Sequence, residues 1–155
     1  MKRTLTLAFA ALALAASLPA CGRGFDINTP AGFAELDGQK DYGYRATTAE
    51  GVVMAVRRKP NAPFGDLGFW SGAIDAQLRR NGYTAVEGRD LKSADGTDGK
   101  RIHYSRVLDG RTHAFWLAVF VNDSHVYTVE AGGDAEFFEK AAPSVDTALA
   151  SLELH

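Results

Sequence analysis

A single cysteine, Cys21, occurs among 155 residues. No intramolecular disulfide and no thiolate metal cluster can form, so the fold has to rest on an apolar core. Charge of one sign is also scarce: 17 basic against 19 acidic residues give −2 with histidines neutral. Without a strong positive field, nucleic acid is not an expected partner. The apolar run from Leu5 to Leu18 is shorter than the roughly 20 residues a membrane-spanning helix needs. Motifs for chemistry are missing too. Ser71 and Ser124 lack the Gly-x-Ser-x-Gly setting of a nucleophile elbow, and Asp95-Gly96-Thr97-Asp98-Gly99-Lys100 lacks the glycine spacing of a phosphate-binding loop. Asp90, Asp95 and Asp98 lack the spacing and the late Glu of a calcium loop and read as a turn of solvated carboxylates. Of the four histidines, His103, His113, His125 and the terminal His155, the expected register points His113 to the opposite face from His103 and His125, and sets those two opposite Trp116 and Phe120, on the order of 13 Å apart and too far to share a metal or a proton, so they read as strand-surface residues. No catalytic, cofactor or metal residues are assigned, and no enzymatic activity is expected.

What is present begins at the amino terminus. Lys2 and Arg3 precede the apolar run, and Leu18-Pro19-Ala20-Cys21 closes it with a small residue directly before the cysteine. Charge, apolar stretch and closing small residue are the parts of a secretory signal peptide. The junction resembles the lipobox of bacterial lipoproteins. That resemblance implies cleavage between Ala20 and Cys21, a diacylglyceryl group on the Cys21 thiol and an N-linked acyl chain such as palmitate, which together anchor stably where one chain would not. An ordinary signal-peptidase site with a free cysteine after it, or a buried thiol, accounts for fewer of these features. Gly22 stands where Asp is the usual signal for inner-membrane retention, so the analogy implies the outer membrane, with the protein facing the periplasm. Loss of residues 1–20 leaves 135 residues, and loss of Lys2 and Arg3 takes the charge to −4. That length suits one domain. Residues 21–30, the lipidated cysteine and GRGFDINTP, read as a flexible tether, and 31–155 as a single globular domain.

Within that domain, Tyr42 to Thr48 and Val52 to Lys59 form an expected hairpin, closed by Pro60. Leu67, Trp70, Ile74 and Leu78 then recur at helical spacing from an Asp66 N-cap to a Gly82 stop. Four strands follow: Tyr83 to Leu91, Lys100 to Leu108, Arg111 to Val121 and Ser124 to Ala131. Asp109-Gly110 and Asn122-Asp123 mark two-residue turns. Facing residue numbers should then sum to 219 and 245. One face collects Ile102, Tyr104, Phe115, Leu117, Val119 and Val126, and the other Val107, Trp116, Ala118, Phe120, Tyr127 and Val129. Phe138, Ala142, Val145, Leu149 and Leu152 mark a last helix beginning near Asp134. Pro143 predicts a kink there or a division into two helices. The fold class is α+β: an antiparallel sheet of about six strands covered by helices on both faces, an α/β/α sandwich.

Gly32-Phe33, Trp70 to Tyr83, Gly99 before Ile102-His103-Tyr104, Phe120-Val121 and Val126 to Glu130 together resemble the PsbP/Mog1/DcrB-like superfamily over residues 31–153. The resemblance rests on core and turn positions and implies that fold. Its members mostly act as binding or assembly modules, and they share no catalytic motif to carry across. The functional expectation is therefore a lipid-anchored cell-envelope lipoprotein that binds an envelope protein or assists assembly. The alternative is a periplasmic small-ligand binder or hydrolase with a pocket between sheet and helix. Arg57, Arg58 and Lys59, with Phe64 and Phe69, form the candidate interaction surface. The cations could touch anionic headgroups or an acidic partner, or simply guard a strand edge against aggregation. Trp70 is assigned to the core.

Overall fold

In the computed structural model, which describes residues 22–38 and 40–155, Asp66 opens the helix that the sequence marks most strongly. Its carboxylate accepts from the Phe69 amide at 2.7 Å, and α1 runs Leu67–Arg80. Gly82 takes φ +86°, with Tyr83 N donating to Leu78 O at 3.1 Å and Gly82 N to Arg79 O at 3.0 Å. Those two bonds are the Schellman stop, which a left-handed glycine permits. The leader, Ala20 and Cys21 lie outside the described residues. Among the described residues no helix is long and apolar enough to cross a membrane.

The strands are β1 (Phe25–Asp26), β2 (Ala34–Glu35), β3 (Tyr44–Thr47), β4 (Val53–Pro60), β5 (Thr84–Lys92), β6 (Asp98–Leu108), β7 (Arg111–Val121), β8 (His125–Asp134) and β9 (Glu153–Leu154). Seven of them pair antiparallel in the order β2-β3-β4-β8-β7-β6-β5, one more than expected because Ala34–Glu35 adds to β3. Across β6 and β7 every pair sums to 219, from Gly99 with Phe120 to Leu108 with Arg111. Asp109 and Gly110 both have positive φ, 50° and 76°, as that tight turn requires. The second hairpin departs from expectation: Val121 faces Val126 rather than Ser124. Asn122 is the cause, since its side-chain oxygen accepts from the amides of Ser124 (3.0 Å) and His125 (2.7 Å) and widens the turn. A shift of two preserves the alternation, so the two faces keep their expected members.

Leu117, Val119, Tyr104, Ile102 and Val126 form one apolar cluster with Leu67, Trp70, Ile74 and Leu78 of α1. Ala118, Phe120, Tyr127 and Val129 join a second with Phe138, Val145 and Leu149. The latter three lie on α2 (Ala135–Ala150), which runs unbroken through Pro143 and not as two helices. Burial of that stripe offsets a proline cost of about 3 kcal/mol.

Residues 22–30 are not a free tether throughout. Phe25 is 2% exposed, and β1 pairs with β9 through Phe25 to Leu154 and Asp26 to Glu153. His155 N donates to Gly24 O at 3.0 Å, and Asn28 N donates to Ser151 Oγ at 2.9 Å. Asp95 closes the clasp by accepting from Leu154 N at 3.0 Å and from Thr97 Oγ1 at 2.5 Å. Only Gly22 and Arg23 separate Cys21 from this bonded backbone, and the Arg23 side chain itself pairs with Glu35 at 3.0 Å.

Candidate functional site

Seven strands spaced about 4.8 Å apart make a sheet about 29 Å wide, whereas one helix with its side chains covers about 10 Å. α1 sits over β5, β6 and β7. The same face of β4 and β8 is therefore left uncovered beside it. The result is a groove of about 580 Å³, bounded by Trp70, Ile74 and Gln77 on the helix side and by Leu117, Val126, Thr128, Glu130, Arg57 and Lys59 on the sheet side. Its lining is apolar where β7 and β8 meet the helix and polar along β4.

Each polar group there has an identifiable position. Arg57 pairs with Glu130 at 3.2 Å, donates to the Tyr42 hydroxyl at 2.6 Å and lies 4.1 Å from the Tyr42 ring centroid. Its charge is thus used within the fold. Arg58 and Lys59 are exposed, and neither forms an ion pair among the described residues. β4 is not an edge strand along its length, since β3 pairs with Val53 to Val56 and β8 with Val53 to Pro60. From Arg57 onward only the β8 side is paired in the sheet, so a charged edge is present over those last residues.

Asn61 holds the groove's open end. It is 9% exposed; its amide donates to Gly65 O and Asn122 O, both at 3.0 Å, and its oxygen accepts from Gly65 N (2.9 Å) and Trp70 Nε1 (2.7 Å). Trp70 is thereby half-buried and tethered, and it lines the groove instead of lying wholly in the core. The loop that Asn61 closes puts Phe64 at 74% exposure, with Phe69 at 52% on the first turn of α1. A smaller recess of about 240 Å³ continues past Glu130 toward Tyr42, Tyr83 and His113.

The other histidines stand elsewhere. His103 is less exposed than a surface position implies: its ring stacks on Trp116 at 4.1 Å with 2° between planes, and Glu87 lies 3.6 Å from Nδ1. Burial lowers its pKa, against an opposing pull from Glu87. Trp116 also meets Arg101, 3% exposed and paired with Asp146 of α2. His125 pairs with Pro60 on β4 and not with Phe120, a consequence of the wider turn. His155 contacts Asp26 at 2.8 Å. Across the sheet, Tyr104 donates to Asp75 at 2.8 Å, and Asp75 also receives Arg79 at 2.9 Å. Burial would raise the Asp75 carboxyl, but those two donors outweigh it and hold it below the usual range. Arg101, Asn61, Glu130 and Tyr42 carry no motif. Arg101 could have been flagged by the 219 pairing, which puts a cation opposite Ala118 on a core face.

No family model and no curated protein matches the chain. Solved structures do. LpqN of Mycobacterium tuberculosis, involved in cell envelope biogenesis, superposes with TM-score 0.65 and 11% identity over 84% of this chain and 82% of its own. A Pseudomonas aeruginosa protein of unknown function gives 0.61 and 11% over 89% of each chain. The cyanobacterial PsbP of Synechocystis sp. PCC 6803 gives 0.59 and 12% over 88% of this chain and 89% of that one. These likenesses establish the fold alone: a mixed α+β, PsbP-like arrangement of a large antiparallel sheet and two helices.

Proposed function

We propose that this chain is a lipid-anchored bacterial envelope lipoprotein. Its domain, a sheet held between α1 and α2, is a non-catalytic module that takes an envelope protein partner in the groove beside α1. Cys21 carries the lipid after cleavage at Ala20, and the outer membrane, facing the periplasm, is the location. The groove is the observation that carries the binding role: an apolar lining open to solvent, with Trp70 fixed at its mouth by Asn61. Its polar members are the ion-paired Arg57 and Glu130, Lys59, Thr128 and Gln77, a set suited to recognition. An envelope-biogenesis protein among the structures of like fold supports the same reading.

A photo-crosslinking residue at Gln77 in the acylated full chain tests it in cells. An adduct with an envelope protein that is missing when the residue is placed at Val107 is expected; no adduct at Gln77 refutes the assignment. A volume within the roughly 300–1,000 Å³ of ligand pockets favours a second reading, a small-ligand site. Native mass spectrometry that finds a small molecule retained by the protein and lost in Ile74→Trp would select it. Cys21→Ser should abolish incorporation of labelled fatty acid, and unchanged labelling would defeat the anchor.

A further inference from the structure

The short distance between Cys21 and the packed chain brings one end of the sheet to the membrane. Gly24 is in the fold, with its carbonyl bonded to His155 N. Three steps of at most about 3.6 Å each then keep its Cα within about 11 Å of the Cys21 Cα. A headgroup layer is on the order of 5–7 Å thick, and the Debye length at physiological salt is about 8 Å. With Cys21 acylated, the surface around Gly24 therefore lies within electrostatic reach of the lipid.

That surface carries the charges the fold does not use. A β-carbon built on Gly24 would stand 1.8 Å from an Arg58 guanidinium nitrogen, so Arg58 lies directly on the departing chain. Lys59 follows it at the same end of the strand but on the groove face, also without an ion-pair partner among the described residues. Of the acids around it, Asp26 contacts His155 at 2.8 Å and Asp95 accepts from Thr97 and the Leu154 amide, while Asp123 and Glu153 are exposed without an ion pair among the described residues. Beyond Lys59 the strand ends at Pro60, and the Asn61-closed loop presents Phe64 with Phe69 beside it. Exposed cations next to exposed aromatics fit an anionic bilayer, where the charges meet phosphates and the rings enter the headgroup boundary.

We infer that the end of the sheet bearing Arg58, Lys59, Phe64 and Phe69 docks on the surface of an anionic lipid bilayer, orienting the groove relative to the membrane. The inference rests on acylation at Cys21. Acylation consumes that thiol, so Phe64→Cys provides a unique site for a nitroxide in the full lipidated chain. Val107→Cys, 68% exposed at the opposite end of β6, is the control. In phosphatidylglycerol–phosphatidylethanolamine vesicles the label at 64 should be reached by oxygen and shielded from a water-soluble nickel chelate. The label at 107 should stay open to the chelate. Exchanging Arg58 and Lys59 for Gln should lower the docked-to-free ratio about thirtyfold, about fivefold per cation. A label at 64 as chelate-accessible as that at 107, with Cys21 shown acylated by mass spectrometry, overturns docking and leaves the anchor standing. Shielding that arises only on adding envelope protein also overturns it, in favour of a protein partner at this end. An unacylated Cys21 removes the anchor and the docking together.

Discussion

Replacing Phe25 by Ala separates a packed amino-terminal segment from a flexible one. The side chain is 2% exposed and meets Tyr127 edge-on at 6.4 Å between centroids. Removing the ring returns on the order of 150 Å² of apolar burial, worth about 4 kcal/mol at 25 cal/mol per Å². A compact unfolded state reduces that to about 3 kcal/mol, and the lost aromatic contact restores about 0.5–1. The result, about 3–4 kcal/mol, agrees with the 3–5 kcal/mol typical of buried Phe to Ala changes. In urea, with a slope of about 1.5 kcal/mol per molar, the midpoint should fall by about 2 M. Gly43 supplies an internal check, because a β-carbon there would stand 2.6 Å from the Phe25 ring. Gly43→Ala alone should cost about 1–3 kcal/mol and nearly nothing when Phe25 is already Ala. A residue in a solvated tether would change stability by less than about 0.5 kcal/mol. A Phe25→Ala midpoint within that margin would refute the packing, and with it the short reach from Cys21 on which the proposed membrane docking depends.

Acid titration should report the clasp on the carboxyl terminus. Burial would raise the Asp95 carboxyl, but donors from Thr97, Ser93 and Leu154 outweigh it and bring it down from 3.8 to about 2. The unfolded chain binds this proton more tightly, so the stabilisation is complete above about pH 4 and is lost as the pH falls toward 2. At 1.36 kcal/mol per pKa unit the ceiling is about 2.4 kcal/mol; solvent screening at this exposed site brings it to about 1. Asp95→Asn should flatten the acid limb of a stability profile by that amount, and superimposable limbs would count against it. Tyr104→Phe should cost about 1–2 kcal/mol in urea unfolding while the fold persists, because Asp75 keeps Arg79. A neutral result would show that the bolt between α1 and β6 carries no net stability.

The legible parts of this fold are those whose signals are local. Asp66, the Leu67-Trp70-Ile74-Leu78 stripe and Gly82 all act within one helix, and the structure uses each as its chemistry dictates. Asp109-Gly110 set a register because both residues tolerate positive φ. Asn122 misled by two positions because an Asn side chain can either accept left-handed geometry or cap a wider loop. Only its two amide contacts decide between them. β1 was invisible for another reason. A two-residue strand has no alternation to read, and its partner lies 129 positions away.

The groove is harder to foresee, because no residue in it is diagnostic alone. It arises from a mismatch in size: a seven-stranded sheet is wider than one helix can cover, and α1 starts from a loop that Asn61 fixes near the β7–β8 turn. Arg57, Arg58 and Lys59 form one basic run in the sequence, yet alternation along β4 divides them. Arg57 faces Glu130 and Tyr42 and joins the groove's wall, while Arg58 turns toward Gly24 and the departing amino terminus. Adjacent cations on one strand thus serve opposite faces. A charge-reversing change at Arg57 should therefore disturb the groove, and one at Arg58 the proposed docking of the domain on a bilayer.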